Sequence, residues 1–398
     1  MTTTIGWTIS ETVEQLRRYA YTEHACVRAL AGWFLRTPRW ETKLRLGYLL
    51  YAHAERAYEL QGRLEELRGG NRDVNLDPGY EQLCEQLVHA QGPDSFLAGL
   101  QLMYAQLEGA YSEFVRRADS AANALDIRVL RRHADDVQRG RDELAALRAG
   151  AAGEEPGAAG WVGYLSGLLE AAGGIAGKPP ADAASVVRPA DVPLFPWPSS
   201  ILFDERIRHG DLGSYEGKLN QPMEERRIGE FQVYFNEFYA AALLATVIYD
   251  SWKLSAPRQY FMDIAHHFWD EVRHAEFGAI RLREIGVEPS VVNMLLFDQS
   301  RKMPLLHRFC YLTLGLEIYF MPRKSVRVRY YGEQGDARSQ LFADIDWSEE
   351  VNHVRYGKKW IDHFLEDDHR TVEDLQQEII GYLDGVPTEL AVGQKAPW

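Results

Sequence analysis

Two nine-residue stretches of this chain carry the same residue types at the same spacing. Asp270 to Gly278 reads DEVRHAEFG, and Glu349 to Gly357 reads EEVNHVRYG, matching at Glu, Val, His, an aromatic residue and Gly. Each copy sets a glutamate and a histidine three positions apart, Glu271 with His274 and Glu350 with His353. On a helix that spacing puts carboxylate and imidazole on one face, within reach of a single ion. One Glu-x-x-His in a chain with 12 histidines is an expected coincidence, but an internal repeat of it is not.

Two further glutamates stand alone in apolar sequence. Glu237 is the only formal charge between Phe231 and Tyr249, and Glu317 the only one between Phe309 and Met321. A bare carboxylate in a helix interior costs several kcal/mol, so each needs a proton, an ion-pair partner or a metal. Glu237 precedes Glu271 by 34 residues and Glu317 precedes Glu350 by 33, a spacing that lets antiparallel helical hairpins bring each pair level. Four carboxylates are balanced in charge by two divalent cations, and two neutral imidazoles complete the cluster. Oxygen and nitrogen donors without thiolate suit iron or manganese; zinc is admissible, and calcium and magnesium are poor fits.

Glu, Glu-x-x-His, Glu, Glu-x-x-His on successive helices resembles the ferritin-like di-iron carboxylate superfamily over residues 224 to 365. Asp270-Glu271-Val272-Arg273-His274 matches the D-E-x-R-H form of its oxygenases and rubrerythrin relatives. The resemblance implies Glu237, Glu271, His274, Glu317, Glu350 and His353 as ligands, two iron ions (Fe/Fe, with Mn/Fe as the alternative), and O2 as co-substrate. It also implies that Asp270 and Arg273 orient the histidines from behind. The second copy departs from this form, with Glu349 and Asn352 in their places. His267, one turn before Glu271, and Asp346, one turn before Glu350, project on the ligand face. His267 could be an extra ligand, since enzymes of the p-aminobenzoate N-oxygenase type carry an additional histidine at the corresponding turn of the other motif helix. The expected role is a packed neighbour. Asp346 is open in the same way, and Tyr234, one turn from Glu237, is read as packing ahead of a hydrogen-bond donor or redox tyrosine.

These side chains need helices to position them, and the chain offers little else. Apolar residues recur at three and four over about 11 to 35, 40 to 69, 94 to 118 and 120 to 148, while strand-like alternation is nearly absent. From 149 to 200 the composition turns to Gly, Ala and Pro, with one short helical stretch near Trp161 to Ala172. Helices follow at about Glu224 to Trp252, Pro257 to Ile285, Pro304 to Met321 and Asp336 to Leu365, with a last one near Thr371 to Leu383 expected to pack across the second bundle. Pro257 lies near a start, Gly286 just past an end, and Pro322 is expected to stop or kink the third of these helices. The expected fold is all-α: two ferritin-like four-helix bundles in tandem. Residues 1–150 would be a diverged, metal-free bundle, 151–200 a linker, and 201–398 the di-metal bundle with a C-terminal helix.

The first half has Glu23 and Glu108 on its first and third helices, but His53-Ala54-Glu55-Arg56 stands where a Glu-x-x-His would be. Arg131 and Arg132 precede His133, where a cluster needs carboxylates, so metal cations would be repelled. Glu23, Glu55, Glu108 and His133 are the only metal candidates left there. An inactive bundle beside an active one is similar to the catalytic and scaffold pairs of bacterial di-iron monooxygenases, which implies a supporting role and a share in shaping substrate access.

With 44 Lys+Arg against 58 Asp+Glu, the net charge of −14 argues against a nucleic-acid partner. Cys26, Cys84 and Cys310 lie far apart, which excludes a disulfide framework or a cysteine-based metal site and fits a reducing cytoplasm. The N-terminus lacks a secretory pattern, and Phe231 to Tyr249, interrupted by Gln232, Asn236 and Glu237, reads as a buried helix and not a membrane span. No dinucleotide or flavin motif is present, so electrons would come from a separate reductase, a small carrier or the substrate. The expected function is an O2-activating non-haem di-iron oxygenase or oxidase acting on a small organic molecule by hydroxylation, N-oxygenation or oxidative cleavage. A homodimer is the default assembly. The alternatives are a ferroxidase or rubrerythrin-like peroxide scavenger, disfavoured by the fused first half and the lack of a rubredoxin-like cysteine set, and a metal-free helical scaffold.

Overall fold

A computed structural model describes residues 6–70, 76–149, 157–178, 180, 186–190 and 192–393. The described chain is mostly helical, and its only strands are two residues long. It divides into two compact units, 1–37 with 48–198 and 256–262, and 38–47 with 199–255 and 263–398.

The first unit holds α1 (Ile9–Arg36), most of α2 (Trp40–Glu66), α3 (Pro78–Gln86), α4 (Pro93–Arg117), α5 (Ala124–Ala149) and α6 (Ala158–Ala171). The Thr8 side chain caps α1 and Glu11 reaches back to the Thr8 amide, so two amides that the helix leaves unpaired are satisfied. The nine-residue α3 is too short to show a period in the sequence; Asp77 caps it and Pro78 opens it. In the expected 151–200 connection, α6 packs on α4 so closely that a Cβ on Gly99 would lie 2.7 Å from the Trp161 indole nitrogen. Residues 150–156 and 181–185 of that stretch, and the first five residues of the chain, lie outside the described residues.

The second unit holds α7 (Tyr215–Leu219), α8 (Met223–Phe235), α9 (Phe238–Asp250), most of α10 (Arg258–Glu284), α11 (Leu295–Ser300), α12 (Leu305–Cys310), α13 (Glu317–Glu333), α14 (Ala337–Leu365), α15 (Val372–Ile380) and α16 (Glu389–Val392). A parallel pair of short strands, β1 (Arg208–His209) and β2 (Val291–Val292), links two of its loops. Within this unit α15 packs against α12.

Two expected helices differ from the sequence reading. The single helix expected over 224 to 252 is broken at Asn236 and Glu237, where bonds tighten to three-residue steps: Glu237 N to Tyr234 O at 3.0 Å, and Ala240 N to Glu237 O at 2.9 Å. Asn236 instead accepts the Asn293 amide at 2.6 Å. The helix expected to end near Pro322 does not end there. After α12 the chain makes a wide π turn over Tyr311–Leu316, and α13 then runs through Pro322 to Glu333. Proline removes one helical hydrogen bond, and packing along α14 offsets that loss. Lys324 and Arg327 are thereby kept on a helix.

The segment Met223–Lys253 is the one stretch among the described residues long and apolar enough to cross a membrane, and 83% of its most apolar window is buried inside the protein. That is the signature of a core helix.

The repeat's shared glycine has a packing reason in both copies. A Cβ at Gly278 would strike the Phe235 backbone nitrogen and lie 2.7 Å from the Phe231 carbonyl oxygen; one at Gly357 would strike the Thr313 side chain. Each glycine therefore lets a motif helix lie close to the segment that bears a lone glutamate. Gly278→Ala is expected to destabilise the protein by about 3 kcal/mol, because backbone atoms cannot step aside as a side-chain tip can. Gly109→Ala on α4, where the methyl meets open space, is expected to stabilise by roughly 0.5 kcal/mol. Urea midpoints of the two variants check both signs.

Candidate metal centre

Two groups of buried donors form in the second unit, and in each group the donor atoms lie within 4.8 Å of one another. One comprises His267 and Glu271 from α10, Glu317 at the start of α13, and His353 from α14. The other comprises Glu237 from the break between α8 and α9, Glu271 and His274 from α10, and Glu350 from α14. All six residues expected as ligands are thus brought together, and Glu271 belongs to both groups. His267, expected as a packed neighbour, stands among the donors: its ring stacks on that of His353 at 3.7 Å and its Nε2 lies 2.7 Å from Glu317 Oε1. Burial and the neighbouring ring oppose a charge on His267, but Glu317 and Glu271 raise it; burial opposes one on His353, but Asp270 and Glu271 raise it, so without an ion the carboxylates favour protonated rings. Deprotonated, the two imidazoles are metal ligands.

The donors approach each other without satisfying each other. Both ring nitrogens of His267, Nδ1 of His274 and of His353, both Glu317 oxygens and Glu271 Oε2 are buried, and although imidazole and carboxylate atoms lie as close as 2.7 Å (His267 Nε2 to Glu317 Oε1), none of these contacts has hydrogen-bond geometry. Buried polar atoms almost always find partners, so nitrogen and oxygen atoms left this way in a common space are the donor set a divalent ion would satisfy.

The far side of each motif histidine is held by the other copy of the repeat. His353 Nε2 lies 3.1 Å from Asp270 Oδ2, and His274 Nε2 lies 3.0 Å from Glu349 Oε2. Arg273 donates to both carboxylates, to Asp270 at 2.5 Å and to Glu349. A carboxylate behind Nε2 would keep a proton there and leave Nδ1 as the nitrogen that gives up its proton to an ion. The second copy's departure at Glu349 therefore preserves the arrangement, while Asn352, in the place of Arg273, pairs with Arg355 on the surface at 3.1 Å. Asp346 is fully buried and accepts the Tyr234 hydroxyl at 2.8 Å, which makes Tyr234 a hydrogen-bond donor.

Lys324 is the residue the sequence reading missed. Its Nζ lies 2.7 Å from Asp346 Oδ1, 2.9 Å from Glu350 Oε1 and 3.3 Å from Glu237 Oε1, with the side chain buried. It follows Glu317 by seven residues, two helical turns on the same face, a signal hidden by the expectation that Pro322 ends the helix. Burial and the carboxylates of Glu271, Asp346 and Glu350 push the Glu237 carboxyl well up, with Lys324 opposing. Burial likewise pushes Glu350 up to about 7. Glu271 goes the other way: burial opposes its charge, but His267, His274 and His353 hold its carboxyl well below the usual range. Without an ion, protons on the carboxylates and imidazoles share the neutralisation with Lys324: Glu237 and Glu350 are raised by burial, and His267, His274 and His353 are raised, against burial, by the acids around them.

A cavity of about 120 Å³ adjoins the cluster, its lining including Glu237, Glu271, Glu317 and Glu350 together with Val233, Leu312 and Phe320. It is close to the size that admits one benzene-sized molecule. Arg323, Lys324 and Arg327, all from α13, line it as well.

In the first unit the corresponding candidates disperse. Glu23 is buried and its carboxylate accepts from Arg56 Nε at 2.8 Å and from the Tyr111 hydroxyl at 2.5 Å, with His53 also against it. Glu108 pairs with Arg141 at 2.6 Å, His133 with Glu59 at 2.7 Å, and Glu55 is exposed. Among the described residues no donor group for a metal forms there.

No protein-family model, curated protein or solved structure matches this chain. The donor set and its surroundings carry the functional reading by themselves.

Proposed function

We propose that the protein is an O2-dependent di-metal oxygenase or oxidase acting on a small organic molecule, and that its halves are ferritin-like four-helix bundles of which only the second holds metal. The observation that carries this reading is the pair of buried carboxylate and imidazole groups sharing Glu271, with donor atoms left without hydrogen bonds. Two iron ions, or manganese with iron, would supply electrons to O2 and oxygen to a substrate when bound there.

The chain's own residues do the rest. Glu237, Glu271, Glu317, Glu350, His267, His274 and His353 hold the ions, and Asp270 and Glu349 keep the imidazole protons on the outer nitrogens. Val233, Leu312 and Phe320 keep the approach apolar, so that water is excluded when a substrate fills the cavity. Electrons would come from a separate donor, and a cytoplasmic homodimer completes the proposal.

Protein produced with ample iron and saturated with Fe(II) is expected to hold about two ions per chain and to consume O2 after reduction. Less than one transition metal per chain would overturn the assignment. Growth of a mineral core, seen by microscopy, would replace it with iron storage.

A further inference from the structure

We propose that Lys324 is a resident cation that makes the two metal sites unequal. The set His267, Glu271, Glu317, His353 takes a divalent ion directly, whereas the set Glu237, Glu271, His274, Glu350 takes one only by displacing the Lys324 ammonium. This inference rests on the di-metal reading above.

The ammonium touches the second set alone. Its carboxylate partners are Glu350 at 2.9 Å, Glu237 at 3.3 Å and Asp346 at 2.7 Å, and the first two are the carboxylates that distinguish the second set from the first. Asp346 belongs to neither set. It is anchored by Tyr234 and remains a partner for Lys324 when Glu237 and Glu350 turn to an ion. Lys324 also lines the cavity, which gives the side chain room to withdraw without opening the core.

Charge permits both states. Five buried carboxylates (Glu237, Glu271, Glu317, Asp346, Glu350) and one ammonium leave four negative charges, which two divalent ions still balance with Lys324 retained beside Asp346. In the first unit a side-chain cation likewise pairs with a buried glutamate: Arg56 holds Glu23 at 2.8 Å, and among the described residues no donor group for a metal forms around it.

The test is a titration of metal-free protein with Mn(II) at fixed pH, counting free ion by electron paramagnetic resonance. Wild type is expected to bind one ion tightly and a second on the order of 1000-fold more weakly, as expected for a unit charge opposing at about 4 Å in a partly solvated interior. Lys324→Met should bring the second affinity up toward the first. Lys324→Met with Asp346→Asn keeps the net charge of wild type and should do the same, which separates removal of the ammonium from a change in overall charge. Glu317→Gln should abolish the tight ion, and Glu237→Gln should leave it in place. Two ions of equal affinity in wild type would overturn the inference and leave the di-metal reading standing, whether or not the Lys324 variants fold. Binding of no ion by wild type would overturn both.

Discussion

Replacing Glu271 with glutamine is expected to empty both proposed metal sites at once. Glu271 is the one residue common to the two donor groups, and its carboxyl is held in the charged form by His267, His274 and His353 against the cost of burial. Glutamine keeps the shape but loses the charge and one of the two acceptors, so no single oxygen anion remains to serve both sites. Loss of an outer hydrogen-bond partner typically weakens metal binding 10–100-fold; loss of the shared ligand should exceed about 100-fold. The same change should appear in stability. At an ion concentration about 100 times the dissociation constant, a site stabilises the folded protein by about 2.7 kcal/mol, so the wild-type melting temperature should rise on adding metal and that of Glu271→Gln should not. A variant that kept two ions and the metal-dependent rise would show that the two groups do not share this carboxylate.

The largest effect on the metal-free protein is expected in the other unit, at Arg56. The guanidinium is the main partner of a Glu23 carboxylate with no solvent exposure. Removing one member of a buried ion pair leaves an uncompensated charge and costs about 3–5 kcal/mol. For a unit of this size Arg56→Met should lower the melting temperature by on the order of 10 °C. Adding Glu23→Gln should recover most of the loss, because the amide oxygen still accepts the Tyr111 hydroxyl.

The pH dependence follows from the same pair. Burial alone would raise the Glu23 carboxyl, but Arg56 and His53 hold it far below its usual value of 4.5. A carboxylate whose folded value is depressed stabilises the protein fully above its unfolded value and loses that contribution as pH falls through the folded one. The gap between wild type and Arg56→Met should therefore be widest toward neutral pH, begin to narrow above 4.5, where burial lets Glu23 take up a proton in the variant, and go on narrowing below 4.5 as wild type loses its own contribution. A gap that stays constant down to pH 3 would assign the destabilisation to lost packing instead of lost charge.

Six of the acid and imidazole side chains that converge were legible without coordinates because isolation and repetition in sequence are physical signals. A lone glutamate in an apolar helix has to be neutralised, and a repeated Glu-x-x-His offers paired donors on one face. The mostly helical fold was legible for the same kind of reason, since a period of three to four is written along the chain. Three things were not legible. His267 and a merely packed histidine look identical in sequence, because what separates them is whether Glu317 arrives 2.7 Å away from another helix. Glu349 departs from the first copy's pattern, yet its longer side chain reaches His274 across the pair of motif helices, a distance no spacing along one helix encodes. Lys324 was lost because local propensity says that proline ends a helix, whereas contacts along α14 carry α13 past it.

The sequence by itself determined which groups needed partners, since the cost of burying a charge depends on the residue and its immediate neighbours. Only the tertiary structure decided who those partners are: one buried glutamate is held by an arginine in the first unit, and the acids of the second converge on a shared centre with a lysine at one edge. The reason is that neutralisation acts over a few ångströms in space, and those few ångströms are set by how helices far apart in the chain come to pack.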